Sequence, residues 1–361
     1  MSKRNALQSI RFFCAVLIFL YHLPNYDYPY LDSISKHLFY LFFSPVTFFI
    51  ILSGWALTYT YYEKVKNKTF NLKNYFRKRI LRIYPIHIFT FLLSVPLILA
   101  WHQKIPLSVT LSNILLIHAF IPSPAFFLSY VQTSWFLSVL MFLYLIFPYI
   151  LLILVRFDRI MKKYAVGLLF FLVLSLSLWV YLNNSADPDW YAHFFSPSER
   201  FVDFMVGICI YFIVKQIQDR IKGDRIFWTI IETTGVIILI ATFRFAYLVP
   251  MKYLRDTYFI LPWGFIVGIF ALSKGVISDI LSWKPFVVLG SISLEFFLIH
   301  ILSVQFIYVM VSQIITMTSI QKGIVSFLVA IAGSFLAHYI LLFLLHPSFR
   351  KIVGSKVSNS T

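Results

Sequence analysis

Long apolar runs, separated by short basic stretches, make up almost the whole of this chain. Eleven such runs occur, at 8–24, 37–62, 80–101, 107–121, 134–155, 164–182, 200–217, 226–247, 257–273, 291–316 and 321–345. An α-helix needs about 20 apolar residues in a row to cross the hydrocarbon core of a bilayer. The pattern therefore predicts an all-α protein, a polytopic bundle of membrane helices.

The basic residues between the runs indicate on which side of the membrane each loop lies. Lysine and arginine are concentrated between the second and third runs, where Glu63 is the only acidic residue, and again at 156–163. Cytoplasmic loops carry an excess of these residues. Counting crossings from these loops predicts about ten transmembrane helices, with both termini cytoplasmic. We expect a multi-pass protein of the cell membrane, that is, the plasma or inner membrane.

The fourth run does not fit this alternation. Residues 107–121 must enter and leave on the outer side, because the third run ends outside and the fifth begins there. The following stretch I-P-S-P-A, at 121–125, indicates a break in the helix. We expect an outer re-entrant or interfacial segment, and its backbone must be covered by protein or by water. Residues 1–350 are predicted to form a single membrane domain, followed by a short basic cytoplasmic tail at 351–361.

Composition supports a membrane protein and excludes several soluble classes. Of 361 residues, 60% are hydrophobic and 12% are charged, and the formal net charge is +17. In a soluble chain this charge would suggest a nucleic-acid partner, but here the basic cytoplasmic loops explain it, and no nucleic-acid partner is predicted. The two cysteines, Cys14 and Cys209, lie in apolar runs, so a disulfide framework is not expected. The sequence leaves the oligomeric state open.

The first run carries Arg11 and His22 within otherwise apolar surroundings. They lie about 16 Å apart along a helix axis. Holding such groups in hydrocarbon costs several kcal/mol, so they usually face a protein interior or a functional cavity. Taken alone, Arg11 is better explained as a snorkelling residue, and His22 as an interfacial hydrogen-bonding residue. Taken together, they suggest the two ends of one transmembrane pocket.

A second candidate lies where the third run enters the membrane, in N-Y-F-R-K-R-I-L-R-I-Y-P at 74–85. Arg79 and Arg82 are three residues apart and therefore share one helix face. A pair of guanidinium groups suits phosphate, because each planar fork can bind two oxygens at once. The alternative is a topology signal that also attracts anionic lipid headgroups. That alternative explains the lysines but does not require arginines running into the apolar segment.

Further polar residues stand in apolar surroundings. One such pair is Ser53 and Gly54, in F-F-I-I-L-S-G-W at 48–55. Small residues there permit either close helix packing or the close approach of a ligand, and packing is the better explanation of the pair taken alone. Arg200 and Asp203 are spaced to pair at an outer boundary, and a structural role is favoured as much as a functional one. The remaining candidates are Asn113 and His118 in the re-entrant segment, Trp135 at the start of the fifth run, and Glu295 and His300 in S-L-E-F-F-L-I-H at 293–300.

In their order along the chain, these motifs resemble the acyltransferase-3 family, integral-membrane proteins that O-acylate bacterial surface polysaccharides and related acceptors. Arg11 and His22 resemble the family's arginine, ten residues, histidine on the first helix. The other matches are to its F-F-x-L-S-G at 48–55, its R-x-x-R-I-x-P at 77–85, its P-S-x-R…G at 197–207 and its S-Y-x-x-Y-L-x-H at 293–300. The stretch L-Q-S-I-R at 7–11 is similar to the exopolysaccharide-acetyltransferase type. No single motif is decisive, but the ordered set covers nearly the whole chain and is specific.

The chain departs from the family pattern at two positions. Leu140 stands where many members have the glutamate of W-S-L-S-x-E, and Leu345 precedes His346 and Pro347 where a Glu-x-Pro is usual. No role of those glutamates can be carried over to this chain.

The resemblance implies an acyl-CoA donor at the cytoplasmic side, most often acetyl-CoA. It also implies a carbohydrate acceptor, a surface polysaccharide or a lipid-linked glycan, whose hydroxyl is presented from the outer side. The catalytic candidates are then His22 as a general base and His300 as a second base or an orienting group. An imidazole suits a general base because its ordinary pKa lies near neutral pH.

The remaining site residues follow from the same resemblance and from charge. Coenzyme A is polyanionic, so cations at the inner mouth would hold it. The predicted donor-binding residues are Arg11, Arg79, Arg82, Ser53 and Gly54. The predicted acceptor-binding residues are Arg200, Asp203, Asn113 and Trp135. No metal is predicted, and membrane lipids are the other expected partners.

Two further classes compete with an enzyme. In a transporter or flippase, the intramembrane arginines and histidines would line a substrate path. Transporters often contain paired halves with helices broken at matching positions, and the sequence shows no such pairing. The third possibility is a non-enzymatic subunit of a surface-polymer assembly system.

Overall fold

The computed structural model describes residues 5–23, 39–100, 104–182, 194–250, 253–254 and 257–345. Every regular element in these ranges is helical, which confirms the predicted all-α class. Prolines stand at several helix starts. Proline lacks a backbone N–H, and in the first turn of a helix that N–H would have no partner within the helix. Pro45 and Pro197 open two of the central helices in this way.

The first seven helices are Asn5–Tyr21 (α1), Pro45–Lys66 (α2), Leu72–Ala100 (α3), Leu107–Ile114 (α4), Pro124–Phe127 (α5), Trp135–Arg156 (α6) and Asp158–Leu182 (α7). The second half contains Pro197–Arg220 (α8), Arg225–Phe245 (α9), Ile260–Leu272 (α10), Val276–Leu281 (α11), Lys284–Ser291 (α12), Ser293–Gln305 (α13) and Ser319–Leu345 (α14). A π-helical stretch, Phe306–Met310, continues α13.

The helices are those of a multi-pass membrane protein. In the described ranges, eight helical spans are long and apolar enough to cross a bilayer, and α1 and α10 are shorter apolar helices. The 13 residues of α10 cover only about 20 Å, less than a hydrocarbon core of about 30 Å. The predicted count of ten crossings therefore stays a prediction. The cytoplasmic position of both termini stays a prediction as well.

The run 107–121 is too short to cross, as the loop charges indicated. Its helix, α4, has eight residues, which cover about 12 Å. Leu116 adopts a positive φ of 56° just after the helix, and the chain turns into a short 3₁₀ segment, His118–Phe120. The buried His87 ring on α3 donates from Nε2 to the backbone oxygen of Asn113 at 3.0 Å, which ties this segment to the bundle.

The centre of the bundle is formed by α2 and α13. In α2, 78% of the most apolar window is buried, and 67% in α13, against 17% in both α9 and α14. Glycines allow α2 and α8 to cross closely: a Cβ on Gly54 would overlap the backbone oxygen of Phe204, and one on Gly207 that of Ile51. Small residues at a crossing bring two membrane helices into backbone contact. The least buried spans, α7, α9 and α14, thus lie at the periphery, while α2, α6, α8 and α13 are the most buried.

Candidate functional site

A cavity of about 340 Å³ lies where the first half of α1 meets the middle of α2 and the first half of α3, and residues of α6 and α13 complete its wall. Arg11, Arg79 and Arg82 all line it, and so does Ser53. We call it the arginine cavity. The structure therefore brings together four of the five residues predicted to bind the donor, from three separate helices.

The arginine cavity carries an excess of positive charge. Arg82 Nη1 lies 3.7 Å from Glu295 Oε1, and the same carboxylate oxygen lies 2.9 Å from Nδ1 of His338. No described carboxylate lies within 4 Å of the guanidinium groups of Arg11 or Arg79. Arg79 instead stacks over the rings of Tyr75 and Tyr144, at 6.0 and 5.6 Å. Three guanidinium groups against one carboxylate favour an anionic ligand.

Unpaired donors on the wall of the arginine cavity indicate a polar ligand. Trp55 Nε1, Arg79 Nε and Ser293 Oγ are buried without a hydrogen-bond partner among the described residues, and all three residues line the cavity. Buried polar atoms in native proteins nearly always have a partner. Sequence reasoning did not select Trp55 or Ser293, although both stand in the quoted motifs at 48–55 and 293–300.

Ser53 and Gly54 have different surroundings. Ser53 lines the arginine cavity, and its Oγ donates to the backbone oxygen of Phe49 at 2.8 Å. Gly54 is not among the lining residues and lies at the crossing of α2 with α8. Close helix packing therefore accounts for the glycine, as favoured for the pair taken alone. The position of Gly54 does not support contact with the donor.

A second, smaller cavity of about 50 Å³ lies towards the opposite end of α1. It is lined by Tyr21 and His22 at the end of α1, by Gln132 in the 3₁₀ turn before α6, by Trp135 at the start of α6, and by Phe297 of α13. We call it the histidine cavity. It unites His22 with Trp135, one of the predicted acceptor-binding residues.

His22 and His300 contact each other although 278 positions separate them. His22 Nδ1 lies 2.8 Å from the backbone oxygen of Ile18 and 3.3 Å from His300 Nε2. His300 Nδ1 lies 3.1 Å from the backbone oxygen of Phe296. A carbonyl oxygen only accepts, so each Nδ1 is assigned the proton, and His300 Nε2 accepts from His22. The neutral His22 ring then has an unprotonated Nε2, which can accept a proton.

Arg200 and Asp203 form a buried ion pair, and the Arg200 guanidinium lies 4.8 Å from the ring centroid of Phe194, which lines the histidine cavity. Each side chain is 1% exposed, and Arg200 Nη1 donates to Asp203 Oδ2 at 2.7 Å. The same Nη1 donates to Thr47 Oγ1 at 3.3 Å, which joins α8 to α2. Neither residue lines the arginine cavity or the histidine cavity. The position of the pair favours the structural interpretation over acceptor binding.

Asn113 is also buried, and it holds the re-entrant segment in place. Its Nδ2 donates to the backbone oxygen of Ser129 at 3.0 Å and to Ser129 Oγ at 2.9 Å. Nearby, Ser134 Oγ lies 3.2 Å from Nε2 of the buried His118. Asn113 lines neither cavity, so its position favours a structural role over the predicted acceptor contact.

The comparisons with known proteins agree with the motifs. The acyltransferase-3 family, described as an acyltransferase domain, matches residues 4–343. This chain belongs to that family. The acyltransferase is also similar to the protein named acyltransferase MdmB from Streptomyces mycarofaciens, with 23% identity over 337 residues that cover 83% of this chain and 79% of the relative. No solved structure matches the chain.

Membership confirms the family predicted from the motifs and separates the competing classes. The chain is a membrane acyltransferase, and the transporter and subunit interpretations lose their support. The acyltransferase also contains, in the described part of the chain, no group of three or more His, Cys, Asp and Glu side chains that could hold a metal ion.

Proposed function

We propose that this acyltransferase moves an acetyl group from cytoplasmic acetyl-CoA to a hydroxyl of a surface or exported polysaccharide. The observation that carries the proposal is the presence of two cavities towards opposite ends of the bundle, one lined by arginines and one containing His22. The basic loop at 63–82 lies beside the arginine cavity, which supports a cytoplasmic donor site in a plasma or inner membrane.

In this proposal the arginine cavity holds the nucleotide end of the donor. No described carboxylate lies within 4 Å of the guanidinium groups of Arg11 and Arg79, so these groups are available to phosphate oxygens, and a guanidinium fork can bind two oxygens at once. Trp55 Nε1 and Ser293 Oγ supply two further hydrogen-bonding groups. The pantetheine arm runs from here along α1 towards the histidine cavity.

His22 acts as the general base. Its Nε2 accepts the proton of the acceptor hydroxyl as that oxygen attacks the thioester carbonyl carbon. The carbon–sulfur bond then breaks, and the coenzyme A thiolate leaves and takes up the proton from His22 Nε2. The acetyl group ends on the acceptor oxygen, and neither an oxidant nor a metal enters the step.

His300 acts through His22 as a positioning residue. Its Nε2 accepts from His22 Nδ1 at 3.3 Å; together with the Ile18 carbonyl oxygen, which lies 2.8 Å from the same Nδ1, it keeps the proton on Nδ1 and orients the ring. When His22 carries the transferred proton, the lone pair of His300 faces its Nδ1–H. This role fits the orienting alternative for His300 better than that of a second base, because its own Nε2 is already engaged.

The acceptor is expected to reach His22 from the outer end of the bundle. Trp135 lines the histidine cavity, and its large amphipathic ring suits a sugar, which has both apolar and polar faces. The small volume of this cavity, about 50 Å³, favours a short acyl group such as acetyl.

The proposal is tested by the mass of the surface glycan in cells with and without the gene. Wild-type protein is expected to restore an added acetyl mass, and His22→Ala to lose it, because a positioned general base contributes about 100-fold to 10,000-fold in rate. Cys14→Ala is the matched control, since Cys14 is buried on the same helix and lines neither cavity. An unchanged acetyl signal with His22→Ala, at equal protein level in the membrane, would contradict the proposal.

A further inference from the structure

Phe297 occupies a special position between the two cavities. Of the described residues, it is the one that lines both the arginine cavity and the histidine cavity. Its side chain is 2% exposed, and it lies one helical turn before His300 on α13. The two cavities therefore adjoin at Phe297.

Two further aromatic rings complete this boundary. The ring of Phe297 lies 5.0 Å from that of Phe136 and 6.0 Å from that of Phe49, and those two are 6.1 Å apart. Phe49 and Phe136 line the arginine cavity but not the histidine cavity. The three rings thus close the end of the arginine cavity that faces His22.

The backbone at Phe297 is held in place, and its buried side chain borders both cavities. Thr133 Oγ1 donates to the backbone oxygen of Phe297 at 3.2 Å and so joins α13 to the start of α6. The ring borders a cavity of about 340 Å³ on one side and one of about 50 Å³ on the other. A rotation of the side chain into either cavity would open the boundary without a shift of the helix.

We propose that the ring of Phe297 is the barrier between the arginine cavity and the histidine cavity, and that it admits only short acyl groups. The acyl-length part rests on the proposed function. Arg11 and His22 are about 16 Å apart along α1, so a donor held by the arginines reaches His22 only through the position of this ring. A longer acyl chain needs more space beyond the barrier than the histidine cavity provides.

The barrier is tested without catalysis, by the labelling of a cysteine placed beyond it. Gln132→Cys lies in the histidine cavity, and Cys14→Ala with Cys209→Ala removes the native thiols. In vesicles with the arginine face outward, sulfonatoethyl methanethiosulfonate, a small anion, is added to the medium. Phe297→Ala is expected to speed labelling of the cysteine at least tenfold.

Phe270→Ala is the matched control. Phe270 is also 2% exposed but lines neither cavity, so labelling should stay at the parent rate. Equal labelling with and without the Phe297 ring would overturn the barrier. Should Phe297→Ala fail to accumulate, Phe297→Leu, which keeps an apolar side chain, takes its place with a smaller expected increase.

The acyl-length part is tested by transfer from acetyl-CoA and from hexanoyl-CoA. Phe297→Ala is expected to raise the hexanoyl-to-acetyl rate ratio at least tenfold over wild type, and Phe270→Ala to leave it unchanged. An unchanged ratio in Phe297→Ala would overturn this part even if labelling is faster. If wild-type protein transfers from no acyl-CoA, the proposed function fails, whereas the labelling result still decides the barrier.

Discussion

At the residue scale, Arg11 and Arg79 set the electrostatics of the arginine cavity. Arg82 has Glu295 at 3.7 Å, so part of its charge is balanced within the protein. Arg11 and Arg79 have no such described partner, and Arg79 Nε is a buried donor without an acceptor. Leaving a buried charged donor unpaired is costly, and a bound anion would remove that cost. Arg79 is thus the residue through which donor binding is best tested.

Arg79→Ala is expected to weaken binding of coenzyme A by at least about tenfold in Kd. A hydrogen bond to a charged group contributes about 1.5–3 kcal/mol, and each 1.4 kcal/mol corresponds to about tenfold. Arg79→Lys should recover only part of the affinity, because the ammonium group lacks the planar fork. The measurement is a calorimetric titration of the purified protein in detergent.

The control for this titration is Arg77→Ala. Arg77 is an exposed arginine two residues earlier on α3 and does not line the arginine cavity. Its loss removes the same formal charge from the same helix. If Arg77→Ala and Arg79→Ala weaken coenzyme A binding equally, the arginines act through general charge, and the donor site is misplaced.

The sequence predicted some of these residue positions and could not predict others. The separation of Arg11 and His22 follows from the fixed rise of a helix, so their placement at two depths was predictable. The contact between His22 and His300 depends on how α1 packs against α13, which no local pattern encodes. The unpaired donors of Trp55 and Ser293 were missed because tryptophan and serine are ordinary residues of apolar helices.

At the element scale, the close crossing of α2 and α8 stabilises the interior around the site. Gly54 and Gly207 face each other's helices with no room for a Cβ. The motif at 48–55 pointed to Gly54, but a glycine suits both close packing and a nearby ligand. Only the position of the neighbouring helix distinguishes these alternatives, and here α8 occupies the space beside Gly54.

Gly207→Ala is expected to lower the free energy of unfolding by about 1–3 kcal/mol, since an added methyl group in a packed interior forces the backbones apart. Thermal unfolding in detergent measures this. Gly167→Ala on α7 is the control, because no atom lies within 4 Å of its would-be Cβ, and alanine is the better helix former. Equal melting temperatures for the two variants would show that the crossing tolerates separation.

The short segment α4 shows how a long-range rule can predict an element. It belongs to the apolar run at 107–121, and the loop charges on either side excluded a crossing by that run. The structure ends this helix at Ile114 and turns the chain at Leu116. The hydrogen bonds of Asn113 to Ser129 were not predictable, because they join residues on opposite sides of the turn.

At the scale of the whole molecule, the two cavities lie towards opposite ends of one bundle, one with the proposed donor-binding arginines and one with the proposed base His22. The family match covers residues 4–343, so this arrangement belongs to the acyltransferase as a whole rather than to an added domain. Charge patterning predicted which end carries the arginines. The barrier between the cavities was not predictable, since Phe297, Phe49 and Phe136 come from three different helices.

The central claim is that donor and acceptor enter from opposite faces of the membrane, and sealed proteoliposomes test it directly. With acetyl-CoA outside and an oligosaccharide fragment of the surface polysaccharide trapped inside, acetylated product should form, and His22→Ala should form none. With both substrates outside intact vesicles, little product is expected until detergent opens them. Equal product from both arrangements, in vesicles that retain a trapped dye, would contradict transfer across the membrane.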